Sequence, residues 1–263
     1  MQQLNFDDLS FVVRRIPAKA RQLMKEHGVI LGGGYIRDVV LGVPPSDLDF
    51  FGATDETLTL CAGTLEEAWH ARIYKTQNAF TILAPPRHPV QFIRRWLYAG
   101  ADAPRKVLES FDFTMAAAVV WWEADAERKA GGRWRSLVHD DWYADLAARR
   151  LRYTSPVRDE DAGGSTLRVV KFLGRGWRIA PESLAAVLAR VMTNEVCLGA
   201  LDLPLDQLRA LGFGGDAGNN ESVAAWSITA LLRQADPLTT IAGVELVAEP
   251  HEDDPLNAEL EGA

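Results

Sequence analysis

Asp47 and Asp49 stand on either side of a single leucine. On an extended strand side chains alternate between faces, so both carboxylates project to one side. Two carboxylates that close repel each other unless they are protonated or share a cation. Their hard oxygens suit magnesium, which takes few carboxylates and fills its shell with water and substrate phosphate. A pair of such ions activates an attacking hydroxyl and stabilises a leaving pyrophosphate. An isolated Asp-x-Asp is more often a solvated surface pair. Here a glycine run, Gly32-Gly33-Gly34, precedes it. Glycine admits dihedrals and close approaches that other residues resist, and a turn opening a helix turns backbone N–H groups toward phosphate. On its own the glycine run would be no more than a tight turn. Its spacing is neither GxGxxG nor GxxxxGK[ST], so the Rossmann and P-loop readings are weak.

The remaining chemistry-bearing residues are less persuasive. His139-Asp140-Asp141 reads as a polar turn before Trp142, and His70, His88 and His251 are isolated. No GxSxG is present to place a nucleophilic serine. Trp121-Trp122 sits in an apolar run and reads as core, whereas Trp134, between Arg133 and Arg135, is the better candidate for stacking a base. Residues 145–190 hold nine Lys/Arg against five Asp/Glu. That excess suits a phosphate backbone or a solvated helix face equally well.

The elements that would position the carboxylates follow from the local pattern. Pro17–His27 reads as a short helix stopped by Gly28, and Val29–Leu31 as a buried strand. After the glycines, Tyr35–Leu41 is helical and ends at Gly42 and Pro44-Pro45. Leu48 and Phe50-Phe51 make a strand around the two aspartates. Thr54–Ala71 is helix-like, with Asp55 and Glu56 at its positive end. Ala79–Leu83 and Val90–Ile93 are two strands joined by a proline-rich loop. A helix from Pro104 to Glu109 leads to Phe111-Asp112-Phe113, and Met115–Trp122 reads as a central strand. Beyond about residue 145 helices dominate: 167–175, 181–193, 205–211 and 222–234. This predicts a mixed α+β fold, a small-sheet head followed by an all-helical neck. The domains expected are a head over 1–150, a helical neck-like domain over 151–247 and an acidic tail over 248–263.

The chain has 263 residues, 48% of them apolar, enough for one large or two modest domains. No run of eighteen apolar residues predicts a membrane helix, and the first ten residues lack the pattern of a signal peptide. Two distant cysteines, Cys61 and Cys197, fit neither a disulfide framework nor a CxxC metal site, which favours a reducing cytoplasm. The net charge is −8. All of that excess lies after Arg233, where eight acids meet no base, and the rest of the chain is balanced. Such a chain is not a broadly cationic nucleic-acid binder.

Gly33-Gly34-Tyr35-Ile36-Arg37-Asp38-Val39-Val40-Leu41-Gly42, followed by Pro44-Pro45-Ser46-Asp47-Leu48-Asp49-Phe50, resembles the head signature of bacterial poly(A) polymerases and class II CCA-adding enzymes, within the polymerase β-like nucleotidyltransferase superfamily. Further blocks resemble the family in the same order: Phe111–Ala117, Asp141–Arg152, Leu167–Phe172 and Gly176–Leu184. The resemblance covers roughly residues 28–190. It implies Mg2+ at Asp47 and Asp49, and contacts to a nucleoside triphosphate from Gly33, Gly34, Arg37 and Asp38. It implies Asp112 beside the nucleotide sugar, and Arg168 and Lys171 on the neck side of a cleft. The implied reaction moves a nucleoside monophosphate from an NTP to an acceptor hydroxyl, an RNA (tRNA-like) 3′ end, with release of pyrophosphate.

The chain also departs from the family pattern. Ser110 and Phe111 stand where two arginines are usual, and Gln91 stands where a third acid can occur. The base-pairing neck motif Glu-Asp-x-x-Arg is not intact around Glu160, Asp161 and Ser165. These departures keep two alternatives open: transfer to a protein or small molecule, and a nucleotide- or RNA-binding module without turnover.

Overall fold

The computed structural model describes residues 1–128, 130–156 and 162–193. It divides into two compact units, Met1–Val157 with Trp177–Ser183, and Arg158–Gly176 with Leu184–Ala263. The first unit runs α1 (Phe6–Arg15), α2 (Ala18–His27), β1 (Ile30–Gly32), α3 (Gly34–Val40), β2 (Leu48–Phe51), α4 (Asp55–Trp69), β3 (Arg72–Lys75), β4 (Ala79–Leu83), β5 (Val90–Ile93), α5 (Ala103–Glu109), a 3-10 turn at Thr114–Ala116, β6 (Ala118–Ala124), β7 (Gly132–Val138), α6 (Trp142–Ala147) and β8 (Arg150–Leu151). Helix α7 (Ala162–Leu173) belongs to the second unit. Strand β9 (Arg178–Ile179) pairs in parallel with β8 in the first unit, and α8 (Pro181–Met192) follows. The helices expected at 205–211 and 222–234, the residues Glu160 and Asp161, and the acidic tail lie outside the described residues.

Local chemistry sets the helix ends. Asn5 caps α1, its Oδ1 accepting from the Asp8 N–H at 2.8 Å, a contribution of about 1 kcal/mol. Thr54 caps α4 by accepting from the Thr57 N–H at 3.2 Å. Gly28 ends α2 at φ 67°, ψ 20°, and its N–H donates to the Met24 carbonyl.

The seven strands of the main sheet are ordered β3-β4-β5-β2-β1-β6-β7. Strand β2 pairs antiparallel with β1 and parallel with β5, and the other pairings in this sheet are antiparallel. The fold is thus mixed α+β, as the residue pattern predicts. Helix α4 packs on β4 and β5, while α5 packs on β1, β6 and β7. Alternation along β2 splits its residues between two cores. Leu48 and Phe50 are buried on one face, where Phe50 stacks on Phe92 with ring centroids 5.5 Å apart. Phe51 turns to the other face and joins Ile30, Val107, Leu108 and Val119. Burying each such side chain contributes roughly 1.5–3 kcal/mol.

Two expectations need correction. The apolar run at Met115–Trp122 becomes strand only from Ala118, and that strand is second from the sheet edge. Its first residues are drawn into the 3-10 turn because the Thr114 N–H donates to the Arg152 carbonyl and its Oγ1 to the buried Asp145. Trp134 is not a free stacking platform. It packs edge-on against Trp122 at 5.2 Å, opposite it in the β6–β7 register, and the Lys25 ammonium sits above both rings.

Candidate functional site

The sheet register assembles the site. Asp49 lies opposite Gly32 on β1 and opposite Gln91 on β5, and Gln91 lies opposite Thr81 on β4. Register partners share a face, so one row crosses the sheet: Thr81, Gln91, Asp49, Gly32. Asp49 and Asp47 are both half-buried, while Gln91 and Thr81 are buried. Asp47 sits immediately before β2 and accepts a hydrogen bond from Ser46 Oγ at 2.6 Å.

Each glycine of the turn leaves space that a neighbour occupies. A Cβ on Gly32 would lie 3.0 Å from both Phe111 Cζ and Phe51 Cε2. Gly33 has φ 83°, ψ −148°, a conformation that L side chains rarely adopt. A Cβ there would lie 3.2 Å from Phe111 Cε1 and 3.5 Å from Asp49 Oδ2, so the ring and the carboxylate border the same point. A Cβ on Gly34 would lie 3.1 Å from an Arg37 terminal nitrogen. The turn is therefore close packing as much as an opening for phosphate.

Arg37 and Asp38 lie together on α3, 5% and 6% exposed. The guanidinium donates to both Asp38 oxygens, at 2.7 and 2.9 Å, and a third nitrogen lies 3.0 Å from Met115 Sδ. A phosphate reaching Arg37 would have to share it with that carboxylate. Asp112 is buried between α5 and the 3-10 turn, and its backbone carbonyl accepts from the Thr154 N–H at 2.9 Å. Arg168 and Lys171 lie on α7, in the other unit.

In the sequence Phe111 opens a block that resembles the family and also stands where an arginine is usual. The structure makes it the wall beside the glycine turn, edge-to-face with Phe51 at 5.9 Å, and Thr154 Oγ1 donates to its carbonyl. The second unforeseen feature is a brace behind this segment. Asp145 is fully buried and accepts from Thr114 Oγ1 at 2.7 Å and from Arg152 Nε at 3.0 Å. It ties α6, β8 and the segment carrying Phe111 and Asp112 into one block.

The donor set suits a hard divalent cation. Asp47 and Asp49 offer two half-buried carboxylates, while Gln91 offers no charge. Among the described residues no three of His, Cys, Asp and Glu gather at one point. A cation here would complete its shell with water and substrate phosphate, as magnesium prefers.

Solved structures of similar fold include a CCA-adding enzyme complexed with CTP, at 20% identity and TM-score 0.51, covering 73% of this chain and 47% of that one. The complex of such an enzyme with ATP matches at 20% identity and TM-score 0.51, covering 73% and 46%. An apo CCA-adding enzyme matches at 16% identity and TM-score 0.52, covering 84% and 53%. At these identities the likeness shows the nucleotidyltransferase head fold, and the chain spans about half the length of the structures it matches. No curated protein matches the sequence. No helix among the described residues is long and apolar enough to cross a membrane. The sequence model of one family does match, over residues 3–149, more than half of the chain, and the protein belongs to that family, Gabija anti-defense 2.

Proposed function

We propose that this chain is a magnesium-dependent nucleotidyltransferase, moving a nucleoside monophosphate from an NTP to an acceptor hydroxyl, an RNA 3′ end in the first instance. The observation that carries this reading is the Gly33 turn against Asp49 on β2, with Asp47 half-buried immediately before that strand. Asp47 and Asp49 would hold magnesium, which when bound would supply charge neutralisation to the transferred phosphate and the leaving pyrophosphate. The turn at Gly33 and Gly34 seats the triphosphate, and the Phe111 wall confines it on one side. Asp112 contacts the sugar, and the α7 residues Arg168 and Lys171 serve the neck-like part of the chain. The reaction belongs in the cytoplasm.

A second acceptor class is favoured by the family match. A family named for acting against a defence called Gabija directs attention to a component of that defence. In this reading a protein hydroxyl replaces the RNA terminus, and the carboxylates and turn keep the same roles.

The test is incubation with magnesium, each labelled NTP in turn, and either deacylated tRNA with total RNA or the defence components. Label on RNA supports the first acceptor and label on protein the second. Loss of both in Asp47→Ala ties the chemistry to this site. Nucleotide binding with no transfer to any acceptor would overturn the enzymatic reading.

A further inference from the structure

A cavity of about 360 Å³ opens in the first unit, where the end of α1, the end of α3 and two loops converge. That volume falls within the range of small-ligand sites. Its wall at Val43, Pro44 and Pro45 is the segment leading directly into Ser46 and Asp47. Its opposite wall includes His88, and the neighbouring Pro89 carbonyl accepts from the Leu48 N–H at 2.9 Å. Both walls are thus anchored on the residues that flank and carry the catalytic pair.

The lining has a definite chemistry. Phe11 is 40% exposed, and the Arg15 guanidinium lies 3.3 Å above its ring centroid. Tyr35 is buried beneath, and burial pushes its pKa up to about 12, so its hydroxyl remains a neutral donor or acceptor. The charged or titratable lining is Arg15, His88 and Tyr35, with no carboxylate. Arg15 makes no ion pair with an acid among the described residues. Flat apolar walls beside a cation that lacks an acidic partner fit a ring carrying a phosphate. An aromatic side chain of a protein would fill the walls but leave Arg15 without its anion.

We infer that this cavity is an acceptor subsite that receives the terminal nucleoside of an RNA 3′ end, its base against Phe11 and Pro45 and its phosphodiester at Arg15. The inference rests on the transferase reading for its role in catalysis, and on the cavity alone for binding. Stacking on the Phe11–Arg15 face supplies sequence-tolerant affinity, and the 43–47 segment brings the terminal hydroxyl toward the carboxylate pair.

Two measurements test it with the full chain, using a short oligoribonucleotide as probe. Phe11→Ala and Arg15→Glu should each raise the KM for the oligoribonucleotide roughly ten- to hundredfold, with the KM for NTP changed less than about twofold. In the absence of NTP and magnesium, binding of a 5′-labelled oligoribonucleotide, read by anisotropy, should weaken by the same factor in Arg15→Glu. Unchanged acceptor KM in an active enzyme, or unchanged binding in both variants, overturns the subsite. An inactive wild type whose RNA binding still depends on Arg15 overturns the transferase reading and leaves the subsite standing. Label delivered only to protein, with variant-independent RNA binding, assigns the cavity to a protein side chain and overturns the inference.

Discussion

Gly33 is the residue on which the geometry of the site is most sharply defined, and Gly33→Ala is the most informative single change. Two costs add. The backbone at φ 83°, ψ −148° lies in a region essentially reserved for glycine, which costs an alanine about 1–3 kcal/mol. The new methyl would also meet Phe111 Cε1 at 3.2 Å, in a ring already held edge-on by Phe51, which adds about 1 kcal/mol. The expected loss is about 2–4 kcal/mol. Two further glycines calibrate it. Gly28 is left-handed at φ 67° with nothing within 4 Å of a Cβ, so Gly28→Ala should cost only about 1–2 kcal/mol from the backbone. Gly63 is exposed within α4 with open space around it, so Gly63→Ala should stabilise by about 0.5–1 kcal/mol. Urea midpoints read by tryptophan fluorescence give the order Gly63→Ala, wild type, Gly28→Ala, Gly33→Ala. Gly33→Ala should also transfer nucleotide poorly, because its methyl displaces the ring and borders Asp49. A Gly33→Ala protein as stable as Gly28→Ala would refute the packing described around the turn.

The other predictions concern the framework. Asp145→Ala removes the acceptor for Thr114 Oγ1 and Arg152 Nε and leaves the buried Thr114 hydroxyl without its partner. The expected loss is about 2–4 kcal/mol, and a urea midpoint within error of wild type would show that the brace is dispensable. Burial raises the pKa of both Tyr35 and Tyr143 to about 12, with the Asp8 carboxylate adding to the effect at Tyr143. Each phenol keeps its proton more tightly folded than unfolded, so the stability this confers is complete below about pH 10 and drains away as pH rises toward 12. Tyr35→Phe should flatten part of that alkaline decline. A spectrophotometric titration in which every tyrosine ionises near pH 10 would contradict it.

The residues made parts of this arrangement easy to read and hid others for physical reasons. Helix α2 and strands β4 and β5 announce themselves through Gly28, the proline-rich loop and short apolar runs. The Asp47–Asp49 pair stands out through a local pattern, period-two alternation, although β2 begins only at Leu48 and leaves Asp47 just before the strand. Helix α1 stands out less in the sequence, although Asn5, Asp7 and Asp8 form a good N-terminus and Val12, Val13 and Ile16 a buried stripe. Strand β7 is hidden because Arg133, Trp134, Arg135 and Ser136 break the apolar alternation that marks a strand. The placement of Gln91 beside Asp49 depends on a parallel pairing of strands about forty residues apart, which no local pattern specifies. The same holds for Phe111, which reads as a departure from a motif and acts as the wall against the glycines.

The carboxylate pair is tested most directly by pyrophosphate release from labelled NTP by wild type and Asp49→Asn, with magnesium and with chelator. Asn keeps the shape of the side chain and the register with Gly32 and Gln91 while removing the charge. Release should occur only with magnesium, and Asp49→Asn should lose well over about a hundredfold, since even partners of metal ligands cost 10–100-fold when changed. Release that survives Asp49→Asn, or that ignores the chelator, would contradict the role given to the pair.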